Sequence, residues 1–316
     1  MRWLVVAVLF VAACSGDSDG GMSAIDAQTP TIDAPPPIAS GCIDDVTSGD
    51  HVYTCNGLRV DARIPRACQA PGCGLILVLH GDTGTGVLMD AHLRMRELGA
   101  AANYIVVAPT GPPFGQGLPG STWHSAQDAA LIAIVEIMRD VYRVDPDKIH
   151  VTGFSRGSFV TWRLLCDHAD LFASAAPSGG GDGTNFGEVT CFSQGRAPSR
   201  PIPILFLVGR TDASVGYGSL TQIRDAAIAA YAATGPVTIA SDAQYRHDRW
   251  TGTAVIETFD HAYETVANGP FGSARGHCIP GSTTDPYAQQ YAIPCVLPNA
   301  FVWGEEVLAF FQAHPK

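Results

Sequence analysis

Lys148-Ile149-His150-Val151-Thr152-Gly153-Phe154-Ser155-Arg156-Gly157-Ser158 is an apolar, β-branched run that breaks at a Gly-x-Ser-x-Gly turn and passes at once into helical spacing over Gly157–Cys166. A bare Gly-x-Ser-x-Gly is a weak signal in a chain with 34 Gly, so the strand before it and the helix after it carry the reading. In such a turn the two glycines remove side chains that would strike neighbouring backbone, and the serine is held in a strained conformation with Oγ above the sheet. The plainer alternative is a loop serine between glycines.

Working outward, short β-branched runs alternate with helix-period segments. Strands are expected at His51–Cys55, Leu58–Ile64, Leu75–Leu79, Tyr104–Ala108, Lys148–Thr152, Ala173–Ala176, Ile204–Val208 and Ala254–Phe259. Several are unbroken apolar runs, as strands covered on both faces require. Helices are expected at Ala126–Val141, Gly157–Cys166, Leu220–Ala233 and Glu305–His314. The alternation specifies an α/β fold: a mostly parallel central sheet of about eight strands with helices on both faces.

A serine hydroxyl is a poor nucleophile at neutral pH. It needs an imidazole to take its proton and a carboxylate to hold that imidazole in one tautomer. Behind an elbow of this kind the chain order is Ser, acid, His. The run Pro203-Ile204-Leu205-Phe206-Leu207-Val208-Gly209-Arg210-Thr211-Asp212 ends at Asp212, which is the expected acid; Asp225, inside a helical pattern, reads as a solvated face. Of the histidines after Asp212, His277 sits in a Gly/Pro-punctuated loop able to carry a projecting side chain. His261, at the end of a strand, competes; His247 lies among charges and His314 at the last helix's end. The oxyanion of a tetrahedral intermediate needs two backbone donors. One is the amide of Arg156, after the nucleophile, and the other is that of Asp82 or Thr83, in the Gly-rich turn His80-Gly81-Asp82-Thr83-Gly84-Thr85-Gly86 after the third strand. A phosphate cradle is the rival for that turn, but neither G-K-[ST] nor G-x-G-x-x-G is present.

Four segments carry a resemblance: His80-Gly81, Gly153-Phe154-Ser155-Arg156-Gly157, Asp212-Ala213-Ser214-Val215-Gly216-Tyr217, and Gly276-His277-Cys278-Ile279-Pro280-Gly281. In order and spacing they resemble the oxyanion, elbow, D-x-x-V-P-Y and G-H-x-W-P-G segments of the secreted polyhydroxybutyrate depolymerase and feruloyl esterase group, of carbohydrate esterase family 1 type, within the α/β-hydrolase superfamily. The resemblance implies the α/β-hydrolase fold, the triad Ser155, Asp212 and His277, an acyl-enzyme route on polyester or plant-wall esters, and no cofactor. Gly216 stands where that group often has Pro, Ile279 where it has Trp and Val208 where the acid strand commonly ends in His; these departures bear on the pocket rim. His277-Cys278 also resembles the tannase-like feruloyl esterases, whose corresponding Cys is bonded to one before the nucleophile, but Phe154 occupies that position. Phe114 and Trp123, in the loop 111–124, are candidates for the acyl pocket or for packing that loop, and His80 and Tyr217 are further pocket candidates.

Composition limits the rest. With 19 basic and 30 acidic residues the net charge is −11, and no Lys/Arg cluster offers a footprint for nucleic acid or anionic lipid. Trp3–Ala13 is apolar over 11 residues, too short to span a bilayer and suited to an export signal. Small residues before Cys14 resemble a lipobox, making residues 1–13 a lipoprotein-type signal and Cys14 the lipidated residue, the sole route to a membrane; simple cleavage nearby is the alternative. Residues 14–41 are too poor in apolar side chains to order themselves and read as a tether, leaving 42–316 as the catalytic domain. The remaining eight Cys in an exported chain argue for disulfides, with proximity suggesting Cys42–Cys55, Cys68–Cys73, Cys166–Cys191 and Cys278–Cys295. No metal site is expected, because the Cys68/Cys73 spacing has no accompanying quartet. An exported serine carboxylester hydrolase is the leading expectation. A peptidase or thioesterase on the same triad, or a non-catalytic surface-binding lipoprotein, is the alternative.

Overall fold

The computed structural model describes residues 35–115, 117–265, 268–269, 272–282 and 293–316. The expected export signal, Cys14 and most of the tether lie outside the described residues. Ahead of Cys42, Pro37 is buried and Ser40 bridges Ile43, so ordered contacts begin a few residues before that cysteine.

The chain runs through β1 (Gly49–Cys55), β2 (Leu58–Ile64), β3 (Gly74–Leu79), α1 (Gly86–Leu93), α2 (Met95–Ala101), β4 (Tyr104–Thr110), the short hairpin β5 (Pro113–Gly115) and β6 (Leu118–Ser121), and α3 (Asp128–Tyr142). Then follow β7 (Ile149–Phe154), α4 (Arg156–Asp167), β8 (Ser174–Ser178), β9 (Ile204–Gly209), α5 (Tyr217–Ala230), β10 (Thr234–Ser241), β11 (Tyr245–Thr251), β12 (Val255–His261) and a last helix, α6 (Trp303–Ala313). All eight expected strands form, each within two residues of its expected ends. They join β10 and β11 in one ten-stranded sheet of order β1-β2-β4-β3-β7-β8-β9-β12-β11-β10. The stretch from β4 to β12 is parallel, and antiparallel pairs close both edges.

Every residue of β3, β7 and β9 is buried, which explains their unbroken apolar runs. Side chains alternate across the sheet: Leu75, Leu77 and Leu79 of β3 join α3, α4 and α5 in one core, while Ile76 and Val78 join α1, α2 and α6 in the other. Helices therefore cover both faces, and the loops after β3, β7, β9 and β12 emerge at the same rim of the parallel strands. All four expected disulfides form, with Cα–Cα distances of 5.2, 5.4, 5.1 and 5.0 Å in chain order.

Candidate active site

The turn between β7 and α4 is built around what glycine lacks. A Cβ on Gly153 would sit 2.4 Å from the Gly157 carbonyl oxygen, and one on Gly157 would sit 2.2 Å from that of Leu79. Any side chain at either position would push the helix off the sheet. Ser155 between them has φ 53° and ψ −116°, outside the regions where an L-residue rests without strain. Its amide donates to the Ser178 carbonyl at 2.9 Å, which fixes the turn against β8.

Asp212 lies three residues past the end of β9, with a fully buried side chain. Its Oδ1 accepts the amides of Ser214 at 2.9 Å and Val215 at 2.8 Å, and its Oδ2 pairs with Nδ1 of His277 at 2.7 Å. Burial would raise this carboxyl's pKa; the field and hydrogen bond of His277, with the two amides, outweigh it and hold the group below the usual value. Close backbone approach brings the two loops together: a Cβ on Gly276, at φ 70°, would lie 2.4 Å from the Thr211 carbonyl carbon. Ala213 also donates to the Arg275 carbonyl at 2.8 Å. The His277 ring lies 4.7 Å, centroid to centroid, from Phe154, the residue before Ser155. The imidazole–carboxylate pair thus lies beside the elbow, with three distant stretches of chain meeting at one rim and Nε2 as the imidazole nitrogen not engaged by Asp212.

The turn after β3 reaches the elbow. A Cβ on Gly81 would lie 3.1 Å from that of Ser155. The amide of Gly84 closes the turn on the Gly81 carbonyl at 3.0 Å, and Thr83 takes a left-handed φ of 63°. Among the described residues no hydrogen bond takes the amides of Asp82, Thr83 or Arg156, which leaves all three open as donors.

No family model matches the chain. It is 28% identical over 163 residues to the bifunctional acetylxylan esterase/xylanase XynS20E of Neocallimastix patriciarum, covering 49% of this chain and 22% of that protein. It is 31% identical over 115 residues to poly(3-hydroxyalkanoate) depolymerase C of Paucimonas lemoignei, covering 34% of this chain and 28% of the relative. The chain therefore spans well under half the length of these curated relatives. Among solved structures, an acetyl xylan esterase from Aspergillus awamori superposes with a TM-score of 0.54 at 18% identity, over 68% of this chain and 94% of that one. The chain has the α/β-hydrolase fold. The motif resemblance is met by relatives of the same kind, an acetylxylan esterase and a polyester depolymerase.

The structure separates the remaining candidates. Asp225 is exposed and paired with its neighbour Arg224, and His247 pairs with Glu257 at 2.6 Å on the far strand pair. His314 bonds the Phe310 carbonyl. His261 is buried at the end of β12, with Nδ1 lacking a hydrogen bond, and burial lowers its pKa to about 4. Two pocket candidates are corrected. Trp123 is fully buried, and its indole N–H donates to the His80 carbonyl at 3.0 Å. His80 is 1% exposed and spans the sheet rim, with Nδ1 bonded to the Gly81 carbonyl at 2.7 Å and Nε2 accepting the Gly111 amide at 3.0 Å. Both rings brace the turn after β3 from behind; neither reaches a surface that substrate could touch. Phe114 is half-buried on β5, and Tyr217, 39% exposed, donates to Asp260 Oδ2 at 3.0 Å.

The sequence reading missed Glu188, Asp260 and Phe186. Glu188 bonds Arg156, Asp260 holds Arg210 and Tyr217, and Phe186 is a large exposed aromatic 5.4 Å from Phe159 on α4. None stands in a motif, and only three-dimensional proximity gives them meaning. The single cluster of metal-ligand residue types among the described residues is His261, Cys278 and Cys295, whose two sulfurs are bonded to each other.

Proposed function

We propose that this chain is a serine carboxylester hydrolase working through the triad Ser155, His277 and Asp212. The observation that carries the reading is the 2.7 Å pair between His277 Nδ1 and Asp212 Oδ2, in a ring set against the residue preceding a strained elbow serine. The Ser155 Oγ attacks the ester carbonyl while His277 Nε2 takes its proton, and Asp212 stabilises the resulting imidazolium. The new Oγ–C bond leaves negative charge on the carbonyl oxygen, which the amides of Arg156 and of Asp82 or Thr83 receive. Collapse expels the alcohol, protonated by His277. Water, activated by the same imidazole, then releases the acid and restores the serine.

The relatives' names suggest acetylated plant-wall polysaccharide or poly(3-hydroxyalkanoate) as the ester. Four disulfides support action outside the reducing cytoplasm, with residues 1–13 as export signal, Cys14 as the lipidated anchor and the segment from there to the first ordered contacts near Pro37 as tether. Fluorophosphonate labelling followed by peptide mapping tests the mechanism: an adduct on Ser155 is expected, and its absence leaves a non-catalytic binding protein. A panel of p-nitrophenyl acetate, methyl ferulate, acetylated xylan, polyhydroxybutyrate, thioesters and peptide anilides then separates ester hydrolysis from thioesterase and peptidase activity on the same residues.

A further inference from the structure

The residue after the nucleophile carries a side chain that an oxyanion amide alone does not require. Arg156 Nε donates to both carboxylate oxygens of Asp82 at 3.2 Å, and its Nη1 donates to Glu188 Oε1 at 2.6 Å. Glu188 Oε2 accepts from Arg163 Nη1, and Arg163 grips Asp128 with a two-pronged pair, Nε to Oδ2 at 2.8 Å and Nη2 to Oδ1 at 2.9 Å. Thr122 Oγ1, just past the β5–β6 hairpin, adds a hydrogen bond to Asp82 Oδ1. The chain of charges Asp82–Arg156–Glu188–Arg163–Asp128 therefore begins on the turn after β3, crosses α4 twice and ends at the start of α3. Its side chains are sheltered: Arg156 is 17% exposed, Glu188 11% and Arg163 4%.

We propose that this chain of ion pairs is a brace that sets the distance between the two oxyanion donors, with Asp82 and Glu188 as positioning residues acting through the Arg156 guanidinium. The inference rests on the esterase reading above. The donors come from separate loops, one after β3 and one after β7, which approach closely at Gly81 beside Phe154 and Ser155 and at Gly157 against the Leu79 and His80 carbonyls. An oxyanion site works only when both amides stand within about 2.7–3.1 Å of the developing charge, and a displacement of about 1 Å in such a site costs on the order of 100-fold. A planar guanidinium held between two carboxylates resists the sliding of one loop past the other, because its Nε and Nη1 donors point in fixed directions at different partners.

The test uses the full chain and three variants, Glu188→Gln, Asp82→Asn and Arg156→Lys, the last keeping the charge but not the fork. Turnover of p-nitrophenyl acetate and inhibition by phenylboronic acid, which forms a tetrahedral adduct on the serine, are measured beside the thermal midpoint. Each variant should lose about tenfold in kcat at nearly constant KM, with boronate affinity falling in parallel, because the donors remain present but misaligned. Losses in Asp82→Asn and Glu188→Gln should combine to less than their product, since both act through one guanidinium. Unchanged kcat and boronate affinity in folded variants overturn the brace, as does a loss confined to KM. Should a variant fail to fold, Arg156→Lys alone decides by the same two readouts. Fluorophosphonate labelling of the unaltered protein is the separate control: an inert Ser155 sinks the esterase reading itself, whereas a labelled Ser155 with indifferent variants sinks only the brace.

Discussion

The two halves of the site are held by different means. On the acid–base side, Asp212 is fixed by two backbone amides, the loops meet through Gly209 and Gly276, and Cys278 beside His277 is tied to Cys295. Among the described residues the one ionisable side chain hydrogen-bonded to Asp212 is His277; the neighbouring Arg210 turns instead to Asp260. On the oxyanion side, permanent charges interlock from Asp82 to Asp128. The difference follows from what each half does. In the proposed mechanism His277 gains and loses a proton in every cycle, and a permanent cation on Asp212 would compete for the field that has to stabilise the imidazolium. The proposed oxyanion donors are amides that never titrate, so fixed charge can hold their loops without disturbing the chemistry.

The comparison breaks most visibly at its shared member. Ser155→Ala should lower kcat by on the order of 10⁶-fold, with the thermal midpoint nearly unchanged, because alanine keeps the Cβ and so the backbone strain, and the lost hydroxyl contributes little to folding. Retained hydrolysis in that variant removes the mechanism. Asp212→Asn comes next: the carboxamide fits the same space but favours the wrong imidazole tautomer, and kcat should fall by about 10⁴-fold. If Asp212→Asn keeps full activity, the acid–base half is not what its geometry makes it; Asp225→Asn, on an exposed helix face, serves as the indifferent control.

How much of this was legible in the sequence also divides by region. The parallel strands announce themselves because burial on both faces demands continuous apolar runs, and the elbow because glycine is the one residue its close contacts admit. At the far edge, β10 is almost wholly exposed and contains Gly235-Pro236, while β11 reads Tyr245-Arg246-His247-Asp248-Arg249-Trp250-Thr251, charges that look like surface. There Asp248 is buried and satisfied by Arg246 and Thr238, a pairing no periodicity reveals. Helix α1 escaped for a related reason: Gly86 reads as a breaker, yet glycine is required there because a Cβ would lie 2.0 Å from the Ala108 carbonyl oxygen. In the site, Ser155 is suggested by strand-turn-helix context, Asp212 by chain order and the strand it ends, and His277 by its Gly/Pro-punctuated loop, and the structure pairs the last two. The brace and the burial of His80 and Trp123 depend on contacts between residues about 30 to 75 positions apart, which single-sequence patterns do not encode.

Each half also rests on a histidine that must stay neutral, and this gives a pH signature distinct from the triad's. Burial lowers His80, behind the oxyanion turn, to about 4, and His261, beneath the acid loop, to about 4; His150, between Tyr104 and Phe311, falls to about 3. In the unfolded chain each ring takes a proton near pH 6.5. Between that value and about 4 the unfolded state binds more protons, so their stabilisation is fully present above 6.5 and is lost as pH falls through this window. Asp212, with its lowered value, keeps its contribution throughout that range and loses it only below the ordinary carboxyl value. The thermal midpoint should decline steadily from pH 6.5 to 4.5 in the unaltered protein. A flat profile over that interval shows the rings titrating normally, and the two supports are then not the neutral, dry ones described.

The smallest effect concerns Tyr217, where a structural role and a substrate role part company. Asp260 of β12 receives Arg210, two residues before Asp212, and the Tyr217 hydroxyl, five residues after it, so one carboxylate clamps both ends of the acid loop. Tyr217→Phe keeps the ring and removes that one hydrogen bond. Bonds to a charged acceptor contribute about 1.5–3 kcal/mol, and because the tyrosine is 39% exposed a discounted loss of about 1 kcal/mol is expected. That corresponds to a midpoint lowered by roughly 2–4 °C, with kcat and KM for p-nitrophenyl acetate nearly unchanged because Asp212 keeps its two amides. A several-fold rise in KM without loss of stability would place the hydroxyl on the substrate rather than on Asp260. The acid–base half would then use a polar side chain for recognition where the structure shows it used for support.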